Sequence, residues 1–327
     1  MAKQDPMSTA DSGQERRALL RRETEQQPHM CRSARVTDVV QESARKALGG
    51  GLAGAAAMSI QVATLMWLRT TVTFQYRYGS TTMEAMRTLW AQGGVRRFYS
   101  GVGPALLQAP LSRFGDTAAN AGVLALLNSN ISTCDLPTGV KTLASASAAT
   151  LWRVMLMPLD TLKSILQVEG AGGMRILRGK LHAGGPAVLY HGASGLIGSA
   201  FLGHYFWYGT YNAVDARLAT PSGGLPLTLA RNAAVGFVAS AVADTMTNSV
   251  RVLKTFRQTS ASPISYGDAA RAIIASDGIF GLLGRGLAMR LISNGLQAAL
   301  FSATWKYLER QYFSRSRQSA GESYTVR

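Results

Sequence analysis

Three cations, Arg69, Lys163 and Lys254, stand 94 and 91 residues apart, each at the end of a long segment poor in charge. A chain that returns to the same pattern at such an interval is built from copies of one supersecondary unit, which restricts its fold more than any single motif. Two further registers agree. A glycine-bounded box follows each cation, from Gly94 to Gly101, Gly185 to Gly192 and Gly278 to Gly286, with final glycines 91 and 94 apart. The third box is one residue longer. Eighteen and fourteen residues before the cations stand Gly51 and Ala55, Ser145 and Ala149, Gly236 and Ser240. Small residues four apart let helix backbones approach closely in a membrane.

The repeated segments, 48–74, 102–127, 139–166, 193–214, 229–255 and 287–308, are rich in Ala, Leu, Gly and Ser, yet none is an uninterrupted apolar run. Such interruption fits helices that touch lipid on one side and an aqueous cavity on the other, and it explains a mean hydropathy of only +0.06. The unit is two membrane helices joined by a polar connector that holds a short helix, predicted at 81–92, 174–184 and 266–276. The expected fold is an all-α membrane protein: six transmembrane helices in three tandem two-helix repeats, running in parallel about an axis along the membrane normal. The repeats span 45–132, 133–224 and 225–312, between polar tails at 1–44 and 313–327.

A net charge of +16 suits anionic lipid or an anion-attracting cavity. No zinc spacing, aromatic RNA-binding box or basic helix-turn-helix pattern accompanies it, so no nucleic-acid partner is expected. Cys31 and Cys134 make no disulfide framework, and four scattered histidines make no metal site. Acidic residues in the first tail, including Asp5, Glu15 and Glu23, argue against a targeting presequence. No Gly-x-Ser-x-Gly spacing is present around Ser194, so no catalytic role and no cofactor are assigned.

The second repeat carries Pro158, Asp160, Lys163 and Gln167. A proline inside a helix kinks it, and residues three apart share a face, so Asp160 and Lys163 project together from the bend. Together with the threefold spacing, this stretch resembles the mitochondrial carrier family over roughly residues 45–312. The resemblance implies an inner-membrane exchanger with alternating access, in which each repeat's acid pairs with the next repeat's base to shut the matrix side. The other repeats depart from the pattern: the corresponding positions hold Thr64, Met66, Arg69 and Thr73, then Ser249, Arg251, Lys254 and Gln258. Only Asp160 with Lys254 remains as a family-like pair, leaving Arg69, Lys163 and Arg251 without a matrix-side carboxylate. Such a cationic ring is expected to hold the matrix mouth open unless an anion, an anionic phospholipid or a partner neutralises it. The opposite motif is equally divergent, reading Asn120 with Leu124, Tyr211 with Asp215 and Trp305 with Glu309.

Family substrate-contact positions fall on Gln108 and Ala109, Ser199 and Ala200, Ser293 and Asn294, all uncharged. Arg153 and Asp244 each lie ten residues before a reference lysine, at similar depth, and are expected to pair across the cavity. The aromatic run from His204 to Tyr208 reads as an interfacial belt. Two functions stand side by side: a divergent carrier moving a small metabolite, and a transport-inactive carrier-fold subunit of a larger inner-membrane complex. In both, the resemblance implies a multi-pass inner-membrane protein whose termini face the intermembrane space.

Overall fold

A computed structural model describes residues 36–129, 133, 136–218, 225–300 and 304, and among them it is entirely helical. The long elements are α1 (Val36–Tyr78), α4 (Val102–Ser129), α5 (Thr138–Met155) with α6 (Met157–Glu169), α8 (Ala193–Arg217), α9 (Leu225–Thr259) and α11 (287–300). Short helices α2 (Thr82–Ala91), α3 (Gly94–Phe98), α7 (Gly173–Gly184) and α10 (Tyr266–Gly284) join them. The connector helices expected at 81–92, 174–184 and 266–276 correspond to α2, α7 and the first part of α10.

Each bend has a local cause. The backbone leaves helical geometry at Leu156, and Pro158 opens α6 in its first turn, where a missing amide hydrogen costs nothing. In α1 there is no proline, but the helix breaks at Leu65 beside Thr64, whose hydroxyl donates to the Ile60 carbonyl at 2.8 Å. Hydroxyl back-bonding of this kind bends helices. A capping box starts α2: Thr81 accepts from the Glu84 amide, and the Glu84 carboxylate accepts from the Thr81 amide.

The helices form a closed ring. Helix α1 packs on α4, α4 on α5, α5 on α8, α8 on α9 and α9 on α1, while Gln297 of α11 reaches Arg69 of α1. Threefold order is visible where each repeat meets the next. A Cβ on Gly101 would come within 3.0 Å of the Lys163 carbonyl, one on Gly192 within 2.7 Å of the Gln258 amide, and one on Gly286 within 3.0 Å of the Tyr76 ring. Each box-ending glycine thus lets a connector press against the first long rod of the following repeat, at α6, α9 and α1 in turn. Beside each contact a connector cation caps that helix's last carbonyls. Arg97 donates to the Gln167 and Val168 carbonyls, Lys180 to Gln258 at 2.7 Å, and Arg285 to Arg77 at 3.2 Å. A cation there complements the negative end of the helix dipole.

The interior mixes polar side chains with apolar core clusters, and large apolar side chains stay exposed. Thr70, Thr71, Gln75, Asn248 and Gln258 are buried, whereas Leu151, Met155, Phe237 and Ile292 are more than half exposed. By length and composition, one described stretch, Tyr266–Leu300, is apolar enough to cross a membrane, containing 18 consecutive residues of mean hydropathy 1.4. Gly278 at φ +70° and the turn at Arg285–Gly286 break it, so its two halves are separate helices. The small-residue expectation needs correction at Gly236, around which an added Cβ would meet nothing within 4 Å. Gly236 and Ser240 line a cavity instead, and Ser240 accepts a hydrogen bond from Trp207.

Candidate functional site

Asp160 sits in the first turn of α6, where a carboxylate is favoured by the helix dipole. One oxygen accepts from Lys254 of α9 at 2.6 Å, and the other from Lys163, one turn along, at 2.7 Å. Gln108 of α4 closes the set, donating to Asp160 at 3.1 Å and accepting from Lys163 at 2.7 Å. Gln258 adds a 3.3 Å bond to the same carboxylate. A single buried acid therefore holds α4, α6 and α9 together. Neutral bonds tie α1 to the same two helices: Thr73 donates to Gln167 of α6 at 3.0 Å, and Tyr76 to Asn248 of α9 at 3.1 Å.

The four motif cations line one narrow space beside Asp160, each with a polar partner. Lys163 shares Asp160. Arg251 turns toward Asp244, two helical turns earlier on α9, at 3.5 Å, and its Nε donates to Thr247. Arg69 donates to the neutral Gln297 of α11 at 2.7 Å. Met66, at a position where the family motif has a carboxylate, is fully buried against Val62, Ala105 and Ala109. That part of the ring is a hydrophobic contact.

Asp244 is the second acidic node, and the expected Arg153–Asp244 pair is not formed. Asp244 accepts instead from Arg290 at 2.9 Å and from Asn294 of α11. Arg153 of α5 forms a two-pronged pair with Asp116 of α4, at 3.0 and 2.5 Å. Similar depth on neighbouring helices was the wrong guide, because Asp244 finds its partners on α11 and Arg153 finds its partner on α4.

Above the Asp160 node lies a cavity of about 1430 Å³, and the narrower chamber at the node holds about 280 Å³. The two share walls at Arg69, Lys163, Ser199, Arg251, Asn294 and Gln297. Gln108, Ala109, Ser199, Ala200 and Asn294 line the large cavity, and Ser293 the chamber. The aromatic run divides by helical phase: His204, Trp207 and Tyr208 face the cavity, while Tyr205 is 74% exposed. At the opposite end Asp215 of α8 pairs with Arg231 of α9 at 2.7 Å, and Trp305 and Glu309 lie outside the described residues.

Sequence spacing missed the connector cations, since their partners are backbone carbonyls and leave no side-chain signature. It also missed Gln297 and the pairing of Arg290 with Asp244, since neither Gln297 nor Arg290 belongs to a repeated motif. Burial, followed by the nearby Arg77 and Arg257, lowers the Lys180 ammonium from its usual 10.5 to about 8. Arg97 is pushed down for the same first reason, against the pull of Tyr78 and Glu169.

A comparison with curated proteins finds no match. A family model described as mitochondrial carrier protein matches residues 40–130 and 226–316, the first and third repeats, whereas the motif is complete in the second. Its members are transporters of the multi-pass inner-membrane type, in keeping with described residues that are all helical and surround a large cavity. With more than half of its length matched, this chain belongs to the mitochondrial carrier family.

Proposed function

We propose that the chain moves a small metabolite across the mitochondrial inner membrane by alternating access. Its six long helical rods would span the bilayer, with the connector helices on the matrix side and both termini in the intermembrane space. The observation that carries this reading is a cavity of about 1430 Å³, lined by both polar and apolar side chains, that narrows onto one buried, multiply bonded carboxylate, Asp160, while large apolar side chains such as Leu151 and Met155 are exposed outside it. Arg87, Arg96, Arg97, Arg175, Arg178, Lys180 and Arg271 on the connectors suit a positive-inside face. Opening toward the connectors requires α6 and α9 to part, which breaks Asp160–Lys254 while Asp160–Lys163 persists within one helix. The carboxylate is then never left alone in a low-dielectric site, where an unpaired charge is most costly. Exchange by the purified protein in liposomes tests the reading directly.

One observation favours a structural-subunit role: Met66 and Arg251 replace two of three gate acids, so a threefold ionic closure is absent. Native sizing in mild detergent separates the readings. A monomer supports the carrier, and a fixed stoichiometry within a large complex supports the subunit.

A further inference from the structure

We infer that the connector end of the ring opens along a single seam, between α6 and α9, while α1 keeps hold of both neighbours. This rests on the carrier reading for its use in transport, and it names where the passage forms. Three rods meet at that end, α1, α6 and α9, and their three contacts differ in chemistry although the repeats share a backbone plan.

Between α9 and α1 the motif positions hold two cations, Arg251 and Arg69, which cannot pair with each other. Each is engaged elsewhere, Arg251 by Asp244 of its own helix and Arg69 by Gln297 of α11. This seam is closed by apolar contact instead: Leu68, Val72 and Tyr76 of α1 share one buried cluster with Val252 of α9, Ile273 of α10 and Met289 of α11. Asn248, fully buried, accepts from Tyr76 at 3.1 Å and donates to the Leu283 and Arg285 carbonyls at 2.9 and 3.1 Å. It ties α9 to α1 and to the connector at once. At the rim, Arg77 of α1 donates to Ser260 at 2.9 Å and stands 4.3 Å from the centre of the Phe256 ring.

The contact of α1 with α6 is also free of ion pairs among the described residues. Gln167 accepts from Thr73 at 3.0 Å and turns its amide to the Met66 sulfur at 3.8 Å. Met66 is buried against α4, which presses on α6 at Gly101. Between α6 and α9 the side-chain bonds are Asp160 to Lys254 at 2.6 Å, and Gln258 to Asp160 and Thr161 at 3.3 and 3.2 Å. Among the described residues no buried apolar cluster joins these two rods. Polar and charged partners that part into a hydrated cavity recover bonds to water, whereas parted apolar faces recover nothing. The α6–α9 seam is therefore the one that gives way, and the two arginines, by leaving the α9–α1 seam without an ionic latch, leave that seam to its permanent apolar contact.

The test is pairwise distance measurement between spin labels on the purified full chain in lipid nanodiscs, with Cys31→Ser and Cys134→Ser as background. Met83, Ala171 and Ala261 are exposed just beyond the connector ends of α1, α6 and α9 and are replaced by cysteine two at a time. In the Lys254→Gln variant the 171–261 pair should gain a second, longer distance, while the 83–171 and 83–261 pairs keep one distance each. Tyr76→Phe, which removes a hydrogen bond from the apolar seam and keeps its ring, should leave all three pairs single. If Lys254→Gln does not fold, Gln258→Leu removes the other side-chain bonds of the same seam and should act on the same pair. Longer distances in all three pairs, or in the 83–261 pair, overturn the single seam in favour of concerted or α9–α1 opening. No change in any pair overturns it too, since the ionic seam would then not hold the end shut. A second distance confined to the 171–261 pair, in protein that gives no liposome flux, would leave the weak seam standing and remove the carrier reading, whereas flux with widening at all three seams would do the reverse.

Discussion

Lys254 Nζ lies 2.6 Å from Asp160 Oδ2 and ties α9 to α6, while the other carboxylate oxygen of Asp160 is held by Lys163 of its own helix. The node is asymmetric: one acid serves two bases.

Asp160→Ala strands both lysines, whereas Lys254→Ala leaves Asp160 still paired with Lys163. Removing the acid should cost about 3–5 kcal/mol and removing Lys254 clearly less. The double replacement should fall below the sum of the two single changes. Unfolding of the three variants in one detergent measures this, and equal, additive losses would remove the pair from the account.

The fold was largely legible from sequence because the repeat is carried by glycines and cations with backbone roles. Gly101, Gly192 and Gly286 must be small where each connector meets the next helix, and that requirement survives even where gate chemistry has changed. The site was less legible. The cavity pair Arg153–Asp244 was read from spacing, but Asp244 meets Arg290 and Asn294 of α11 and Arg153 meets Asp116 of α4, and neither Arg290 nor Asp116 belongs to a repeated motif. Periodicity reports the face a residue occupies and carries no information about which neighbour fills the space opposite.

Arg153 and Asp116 should therefore couple energetically, and Arg153 and Asp244 should not. Arg153 is 44% exposed at its side chain, which places the coupling near that of exposed pairs, about 0.2–1 kcal/mol. Two double-mutant cycles decide it. Coupling only between Arg153 and Asp244 would restore the pairing expected from spacing.

Gly101→Ala should destabilise the protein by more than about 1 kcal/mol, because φ is +82° and the new methyl would meet the Lys163 carbonyl at 3.0 Å. Gly103→Ala, two residues on in α4 with nothing within 4 Å, should be neutral or stabilising by up to about 1 kcal/mol. Melting temperatures of the two variants give the comparison. Similar behaviour would contradict the close approach.

The lowered Lys180 value sets a sign for pH dependence. Between about 8 and the usual 10.5 the unfolded chain binds a proton that the folded chain has released. This contribution makes stability rise with pH across that window, by up to about 1.4 kcal/mol per pH unit, and level off above it. Lys180→Met should flatten the slope over the same range. An unchanged slope in the variant would show that Lys180 does not titrate there.

Counter-exchange by the purified protein in liposomes bears most directly on the carrier assignment. With a small metabolite inside and the same metabolite, labelled, outside, saturable uptake is expected only when internal solute is present, and Asp160→Ala should reduce it sharply. Folded, monodisperse protein that gives no uptake above protein-free liposomes for any of a wide panel of small metabolites would contradict the carrier assignment.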